Sequence, residues 1–113
     1  MKEKKWHEAA RYWNQAWYAM ATTRGIKHPY TVILRANEAV CRDFGGEYEE
    51  AEDLFRKALM IREEVLGVND DDTLLLNERF AVFLEDRQRL HDAAEVRKRV
   101  KCKSPYTKNQ DFL

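Results

Sequence analysis

Three consecutive aspartates, Asp70, Asp71 and Asp72, are the densest group of candidate metal ligands in the sequence. A calcium loop instead distributes its oxygen ligands over about twelve residues and ends in a bidentate glutamate. The spacing therefore favours helix capping over metal binding. We expect Asp71 or Asp72 to cap the helix that follows and to favour its positive end.

The histidines and cysteines do not form a recognisable site either. His7 and His91 are expected to face solvent, and no two histidines have metal-ligand spacing on one helix. Cys41 has no general base that the sequence pairs with it. Cys41 and Cys102 are far apart and both lie in helical pattern, which favours reduced thiols and a cytoplasmic protein. We predict no enzymatic activity, no metal and no cofactor.

Composition limits the remaining classes of function. The chain has 113 residues, is 35% charged and has a formal net charge of zero. It lacks the dense basic patch that binding to a nucleic-acid backbone requires, so we expect no nucleic-acid partner. No apolar run approaches the length of about 20 residues that spans a membrane, so we expect no membrane partner. The 44% apolar content is ordinary for one folded domain.

The periodicity of the apolar residues predicts helices throughout. From Gly46 to Gly67 they recur every three or four positions, as on one face of a helix. Ala51 and Ala58 are small enough for a neighbouring helix to approach closely, and Gly67 suits a left-handed C-cap. The other predicted helices are Lys4 to Thr23, Tyr30 to Phe44, Thr73 to Asp86 and Leu90 to Lys101.

A shift of 42 residues superimposes the sequence on itself without a gap. Positions that require a particular size coincide, which indicates an internal repeat of two helices. The coinciding sets include Trp6, Tyr48 and Leu90; Ala9, Ala51 and Ala93; Trp13 and Phe55; Gly25 and Gly67; Thr31 and Thr73; and Ala39 and Ala81.

An aromatic stripe on the first helix has two interpretations. Trp6, Trp13 and Trp17 could form a stacking surface for a ligand, or they could belong to the core. Core is favoured, because Trp13 coincides with Phe55 in the repeat. Trp17 is the one expected to be partly exposed.

The repeated motifs resemble those of tetratricopeptide repeats of the 42-residue, kinesin-light-chain-like kind. The pattern G-x-Y-x-E-A-E-x-L is present from Gly46 to Leu54, and H-P-x-T is present as His28 to Thr31. Asn37 to Ala39 corresponds to N-L-A. The resemblance implies an all-α fold: a right-handed α-solenoid of antiparallel helix pairs, with five helices or about two and a half repeat units. Residues 1–103 would form this domain, and residues 104–113 a flexible tail.

One departure from the family pattern concerns charge. Glu38 stands where the family has a leucine that would be buried, and Arg35 and Arg42 flank it at helical spacing. Because an unpaired buried carboxylate is unfavourable, either the three side chains form a paired network or the helix rolls to expose them.

The resemblance also implies a function, which is protein–protein interaction. In the family, the inner faces of the second helices line a concave groove that holds an extended peptide, and Asn37 matches an asparagine that bonds the ligand backbone. The matched groove positions are Ile33, Ala36, Asn37, Val40, Leu75, Glu78, Arg79 and Val82. Burial of the apolar members between helices is the competing interpretation.

Two further functions are compatible with the sequence. The chain could be a self-association element that forms a homo-oligomer, because the terminal helices carry apolar residues that would normally meet further repeats. Those residues include Trp17, Met20, Val96 and Val100. It could also be a regulatory fragment of a larger repeat-containing signalling protein.

Overall fold

Five α-helices make up the computed structural model, which describes the backbone of residues 2–101 and the side chains of residues 4–99. The helices are α1 (Lys2–Arg24), α2 (Pro29–Phe44), α3 (Tyr48–Leu66), α4 (Asp71–Asp86) and α5 (Leu90–Lys101). Within the described range there is no strand. The predicted all-α fold of five helices is confirmed. The predicted flexible tail, residues 104–113, lies outside the described residues.

Local capping chemistry explains where α2 and α4 begin. Pro29 occupies the first turn of α2, where its missing N–H leaves no backbone hydrogen bond unmade. At the start of α4 the N-cap is Asp70, whose Oδ1 accepts a hydrogen bond from the backbone N–H of Asp72 at 2.9 Å. The prediction that Asp71 or Asp72 would cap this helix is wrong. Both belong to its first turn, where their charges face the positive end of the helix dipole.

Left-handed residues end two of the helical segments in different ways. Gly67 follows α3 with φ of 91°, which confirms the predicted C-cap, and its N–H donates to the carbonyl oxygen of Glu63. In the turn between α4 and α5, Gln88 has φ of 64° although it carries a side chain. A shift of 42 residues places Gln88 on Gly46, which also has a positive φ.

The chain forms two compact units, and the boundary between them falls inside α3 after Ile61. In the first unit α1 and α2 are antiparallel: the rings of Trp6, near the start of α1, and Phe44, at the end of α2, lie 4.9 Å apart. The apolar residues buried here include the predicted Ala51 and Ala58. The others are Ala10, Val32, Ala39, Cys41, Leu54, Phe55 and Leu59.

The second unit pairs α4 with α5, also antiparallel. The side-chain amide of Asn77 donates to the carbonyl oxygen of Val96 at 3.1 Å, which fixes the two helices at mid-length. Phe80 and Phe83 stack with their ring centroids 6.1 Å apart. The buried apolar residues of this unit are Leu74, Leu76, Phe80, Ala81, Phe83, Leu84 and Ala93. Thr31 and Thr73, equivalent in the repeat, are both fully buried, as are Ala39 and Ala81.

The aromatic stripe of α1 is less buried than predicted. Trp6, Trp13 and Trp17 are all only partly buried, whereas the equivalent of Trp13 in the next repeat, Phe55, belongs to the core. The fully buried residue on this face of α1 is the small Ala10. The stripe therefore contributes to the contact with α2 without forming a closed core.

Candidate functional site

The charged stripe of α2 is a paired network. Glu38 is buried, with 2% of its surface exposed, and its two carboxylate oxygens accept from Arg35 at 2.7 Å and from Arg42 at 2.8 Å. Desolvation works against the charge on Arg42. The hydrogen bond and the Coulombic attraction of Glu38 outweigh it, so the pKa of Arg42 is raised. Of the two alternatives that the sequence left open, the network is the one observed.

The same arginines extend the network beyond α2. Arg42 also donates to Glu47, in the segment before α3, at 2.9 Å. The guanidinium of Arg35 lies 3.4 Å from the centroid of the Trp17 ring on α1 and donates to the side chain of Asn14. Because both arginines already have several partners inside the protein, we interpret this network as structural rather than ligand-binding.

A second feature of α2 is a face without charge. Among the predicted site residues it carries Ile33, which is 40% exposed, and the partly buried Ala36, Asn37 and Val40. At 100° per residue these four share one side of the helix. Ile33 and Val40, three or four positions from Asn37, offer it no polar partner, and within the described residues its side-chain amide makes no hydrogen bond.

The α2 face continues to a residue that the sequence analysis missed. Phe44 lies one turn beyond Val40 on the same side and is 59% exposed, with its ring against Trp6. Its spacing of four residues from Val40 was the available signal. The repeat itself gave no support for it, because the equivalent position of the next repeat is the charged Asp86.

On α4 the equivalent face is exposed as well. Leu75 and Val82 are 60% and 42% exposed, and Glu78 and Arg79 are exposed beside them. The competing interpretation, that the apolar members of the predicted site are interhelix core, is wrong for Leu75, Val82 and Ile33.

Glu78 points to α5, and its carboxylate is not free. Arg97 donates to both oxygens of Glu78, at 2.6 and 3.1 Å, and also donates to Glu85. The hydrogen bonds that Arg97 donates to Glu78 and Glu85 raise the pKa of Arg97, and the one that Glu85 accepts lowers the pKa of Glu85. Sequence reasoning missed Arg97, because the pairing joins residues 19 positions apart on two helices.

Arg79 differs from Glu78 in having no partner among the described residues. The positions three and four residues away on its own helix are Leu75, Leu76, Val82 and Phe83. None carries a carboxylate, so Arg79 has no ion pair with the positions three and four residues away on its helix. The α4 face therefore combines exposed apolar side chains with one unpaired cation.

The other candidate chemistry has little support in the geometry. Cys41 is buried, and this burial raises the pKa of its thiol. A hydrogen bond from Trp13 lowers the pKa, and the charge of Glu38 makes a smaller contribution that raises it. A protonated thiol is a poor nucleophile. In the described part of the chain, no three His, Cys, Asp or Glu side chains are grouped as metal ligands. No helix there is long and apolar enough to cross a membrane.

His7 contacts the end of α2 rather than only solvent. Its Nε2 is 3.1 Å from the carbonyl oxygen of Gly45 and 3.4 Å from a carboxylate oxygen of Glu47. A Cβ atom at Gly45 would lie 2.9 Å from the His7 ring, so a side chain at this position would displace the ring. His91 is exposed, as predicted.

Comparison with known proteins identifies the family but no individual relative. A family model described as tetratricopeptide repeat matches residues 1–64, which is more than half of the chain. No curated protein matches the chain. No solved structure matches it either. Together with the five helices and the 42-residue repeat, the match shows that this chain belongs to the tetratricopeptide repeat family.

Proposed function

We propose that this chain is a protein–protein interaction scaffold in which the α2 face and the α4 face can each contact an extended peptide or a partner domain. Tetratricopeptide repeats generally mediate protein–protein interaction and are non-catalytic. The observation that carries the proposal is the state of the predicted site residues. Apolar side chains are exposed on both faces, next to polar groups, Asn37 and Arg79, that have no partner within the described residues.

Each face offers what an extended peptide needs. A peptide in extended conformation presents unpaired backbone N–H and C=O groups, and an asparagine side chain can donate to one and accept from the other. Asn37 has this capacity free, and Ile33 and Val40 beside it can contact apolar side chains of the ligand. On α4, Leu75 and Val82 would do the same around Arg79.

Three finer assignments belong to this proposal. The 42-residue period and the His28–Pro29 element support a kinesin-light-chain-like subtype. The buried free thiol of Cys41 is compatible with a cytoplasmic location. The neutral net charge favours proteins over nucleic acids as partners.

The proposal is tested with peptides selected on the purified wild-type chain from a random library. Asn37→Ala and Arg79→Ala are each expected to weaken a selected peptide several-fold, since losing one hydrogen bond to a ligand costs about 0.5–1.5 kcal/mol. Melting temperatures should change little, because neither side chain has a partner among the described residues. Lys57→Ala, on an exposed part of α3, is the control and should leave affinity unchanged. Unchanged affinity in both test variants would exclude these faces as the site.

Self-association is the second candidate. Leu90, at the start of α5, is 62% exposed, and its apolar side chain is one that another copy could contact. The residues first expected to mediate it are less available: Trp17, Met20 and Val96 are partly buried, and the side chain of Val100 lies outside the described residues. Sedimentation that shows a monomer at all concentrations would eliminate this candidate.

A further inference from the structure

We infer that two copies of this chain associate through α2, antiparallel and related by a two-fold axis that passes beside Asn37. The contact surface is a row of five uncharged residues, which we call the α2 seam: Tyr30, Ile33, Asn37, Val40 and Phe44. The inference rests on the second candidate function, self-association, because it names the surface and the arrangement of the two copies. A ligand at the α2 face would compete with the second copy.

The spacing of the α2 seam is that of a coiled coil. Its members follow one another at intervals of three, four, three and four residues. Alternating intervals of three and four are the heptad spacing, which lets two helices pack along one line. At 100° per residue the five positions fall within about 80° of the helix circumference. The seam therefore runs along one side of almost the whole of α2.

The large side chains of the α2 seam are exposed. Tyr30 and Phe44, at its two ends, are 66% and 59% exposed, and Ile33 is 40% exposed. The ring of Tyr30 stacks on His28 with 5.8 Å between centroids, and that of Phe44 lies against Trp6 at 4.9 Å. Both rings are thus supported on one side and open on the other. Because they are already held in place, association would cost little side-chain freedom at these positions.

The order of residues along the α2 seam is self-complementary. On each side of Asn37 stands first an aliphatic residue and then, seven positions away, an aromatic residue. An antiparallel second copy therefore places Ile33 opposite Val40, and Tyr30 opposite Phe44, on both sides of the two-fold axis. Asn37 meets its own counterpart, and each amide can donate to the oxygen of the other. This pairing satisfies a side chain that has no hydrogen bond among the described residues.

The charged residues of α2 do not oppose this arrangement. Arg35, Glu38 and Arg42 lie on the opposite side of the helix from the α2 seam, where they form the paired network. Asp43 also has a partner within the protein. Two seams can therefore meet without bringing like charges together.

The equivalent row on α4 could not associate in this way. A shift of 42 residues places the α2 seam on Asp72, Leu75, Arg79, Val82 and Asp86. The same antiparallel pairing of two copies would bring Arg79 against Arg79 and Asp72 against Asp86. Like charges that meet at an interface strongly disfavour association. Of these two equivalent rows, the one on α2 is therefore the one suited to a second copy.

The exposed area indicates how strong the association is. With about 200 Å² for a whole aromatic residue, Tyr30 and Phe44 together leave roughly 250 Å² exposed per copy. Two copies would bury about 500 Å² from these residues alone, and the other members of the seam add to this area. Interfaces below about 1,200 Å² belong to weak and transient complexes. We therefore expect a dimer that dissociates on dilution.

Sedimentation equilibrium of the complete chain, from about 1 μM to about 1 mM, measures the association. Wild type should pass from monomer to dimer as the concentration rises. Asn37→Asp should weaken the dimer by about tenfold or more, because it brings two carboxylates together at the axis. Asn69→Asp makes the same change in net charge at an exposed position between α3 and α4, and it should leave the dimer unchanged. Mixing Asn37→Asp with Asn37→Lys should restore a dimer.

A second set of variants tests the antiparallel arrangement. Ile33→Glu should weaken the dimer, whereas Leu75→Glu, the equivalent change on α4, should not. The double variant Ile33→Glu, Val40→Lys should dimerise more tightly than Ile33→Glu, because the antiparallel pairing brings opposite charges together twice. In a parallel pairing the same variant would set like charges against each other. Circular dichroism checks that each variant is folded.

The outcomes separate this inference from self-association as such. If wild type is a monomer over the whole range, both fail. If wild type dimerises and Asn37→Asp behaves like Asn69→Asp, self-association stands and the α2 seam is refuted as its surface. If the folded double variant dimerises no better than Ile33→Glu, the antiparallel arrangement is refuted. Peptide binding has its own assay and can stand or fall independently of these results.

Discussion

Replacing the buried carboxylate of α2 tests the feature that most departs from the family pattern. In Glu38→Gln the side chain keeps its shape and loses its charge, while one of its two oxygens becomes an NH₂ group that faces an arginine donor. Each hydrogen bond to a charged group contributes about 1.5–3 kcal/mol. Glu38 makes two, at 2.7 and 2.8 Å, so the substitution removes one and weakens the other.

The solvent exposure of the two arginines determines how strongly Glu38→Gln destabilises the protein. Removing one partner of a fully buried ion pair costs about 3–5 kcal/mol, because an uncompensated charge stays out of water. Here the side chains of Arg35 and Arg42 are 17% and 19% exposed, and both have further partners. Water can reach them, so we expect an effect smaller than for a fully buried pair: a loss of about 2 kcal/mol in the free energy of unfolding for Glu38→Gln, within the range for one hydrogen bond to a charged group.

Glu38→Leu provides a contrasting variant. Leucine fills a similar volume and gains about 1.5–3 kcal/mol from burial, while the arginines retain Trp17, Asn14 and Glu47. We therefore expect Glu38→Leu to lie within about 1 kcal/mol of wild type, and to be more stable than Glu38→Gln.

Urea denaturation followed by circular dichroism measures these differences. Asp53→Asn is the matched control, because Asp53 pairs with Lys57 at 2.9 Å on an exposed surface and its loss should cost no more than about 0.5 kcal/mol. If Glu38→Gln is no more destabilising than Asp53→Asn, burial does not strengthen this network and the reasoning is refuted.

Three further predictions concern packing, backbone and pH. Ala58→Leu should lower the free energy of unfolding by about 1–3 kcal/mol, because Ala58 is fully buried on α3; a urea transition equal to wild type would contradict this. Gln88→Gly should raise it by about 0.5–1 kcal/mol by relieving the left-handed conformation, whereas Gly67→Ala should lower it; equal signs for the two would contradict the backbone argument. The depressed pKa of Glu85, caused by its hydrogen bond from Arg97, stabilises the fold above the unfolded pKa near 4.5, and this stabilisation is lost as pH falls through the folded pKa. Urea midpoints on both sides of pH 4.5 should therefore fall less with acid in Arg97→Met than in wild type.

The sequence by itself determined the helices and the sides on which they are apolar. Helical periodicity and the 42-residue repeat act through local spacing, so the five helices, the buried Ala51 and Ala58 and the Gly67 cap could be predicted. The sequence did not determine whether Ile33 and Leu75 are exposed, because the same apolar stripe can pack in a core or lie on an open face.

Tertiary structure decided which charged side chains pair with one another inside the protein. Sequence spacing placed Arg35, Glu38 and Arg42 on one stripe but left open whether they pair, because burial of Glu38 depends on what covers α2. Sequence spacing also could not show which of Glu78 and Arg79, both on the α4 face, is paired within the protein. Only the approach of Arg97 from α5 separates them, since a side chain can be paired by a residue distant in sequence once two helices pack together.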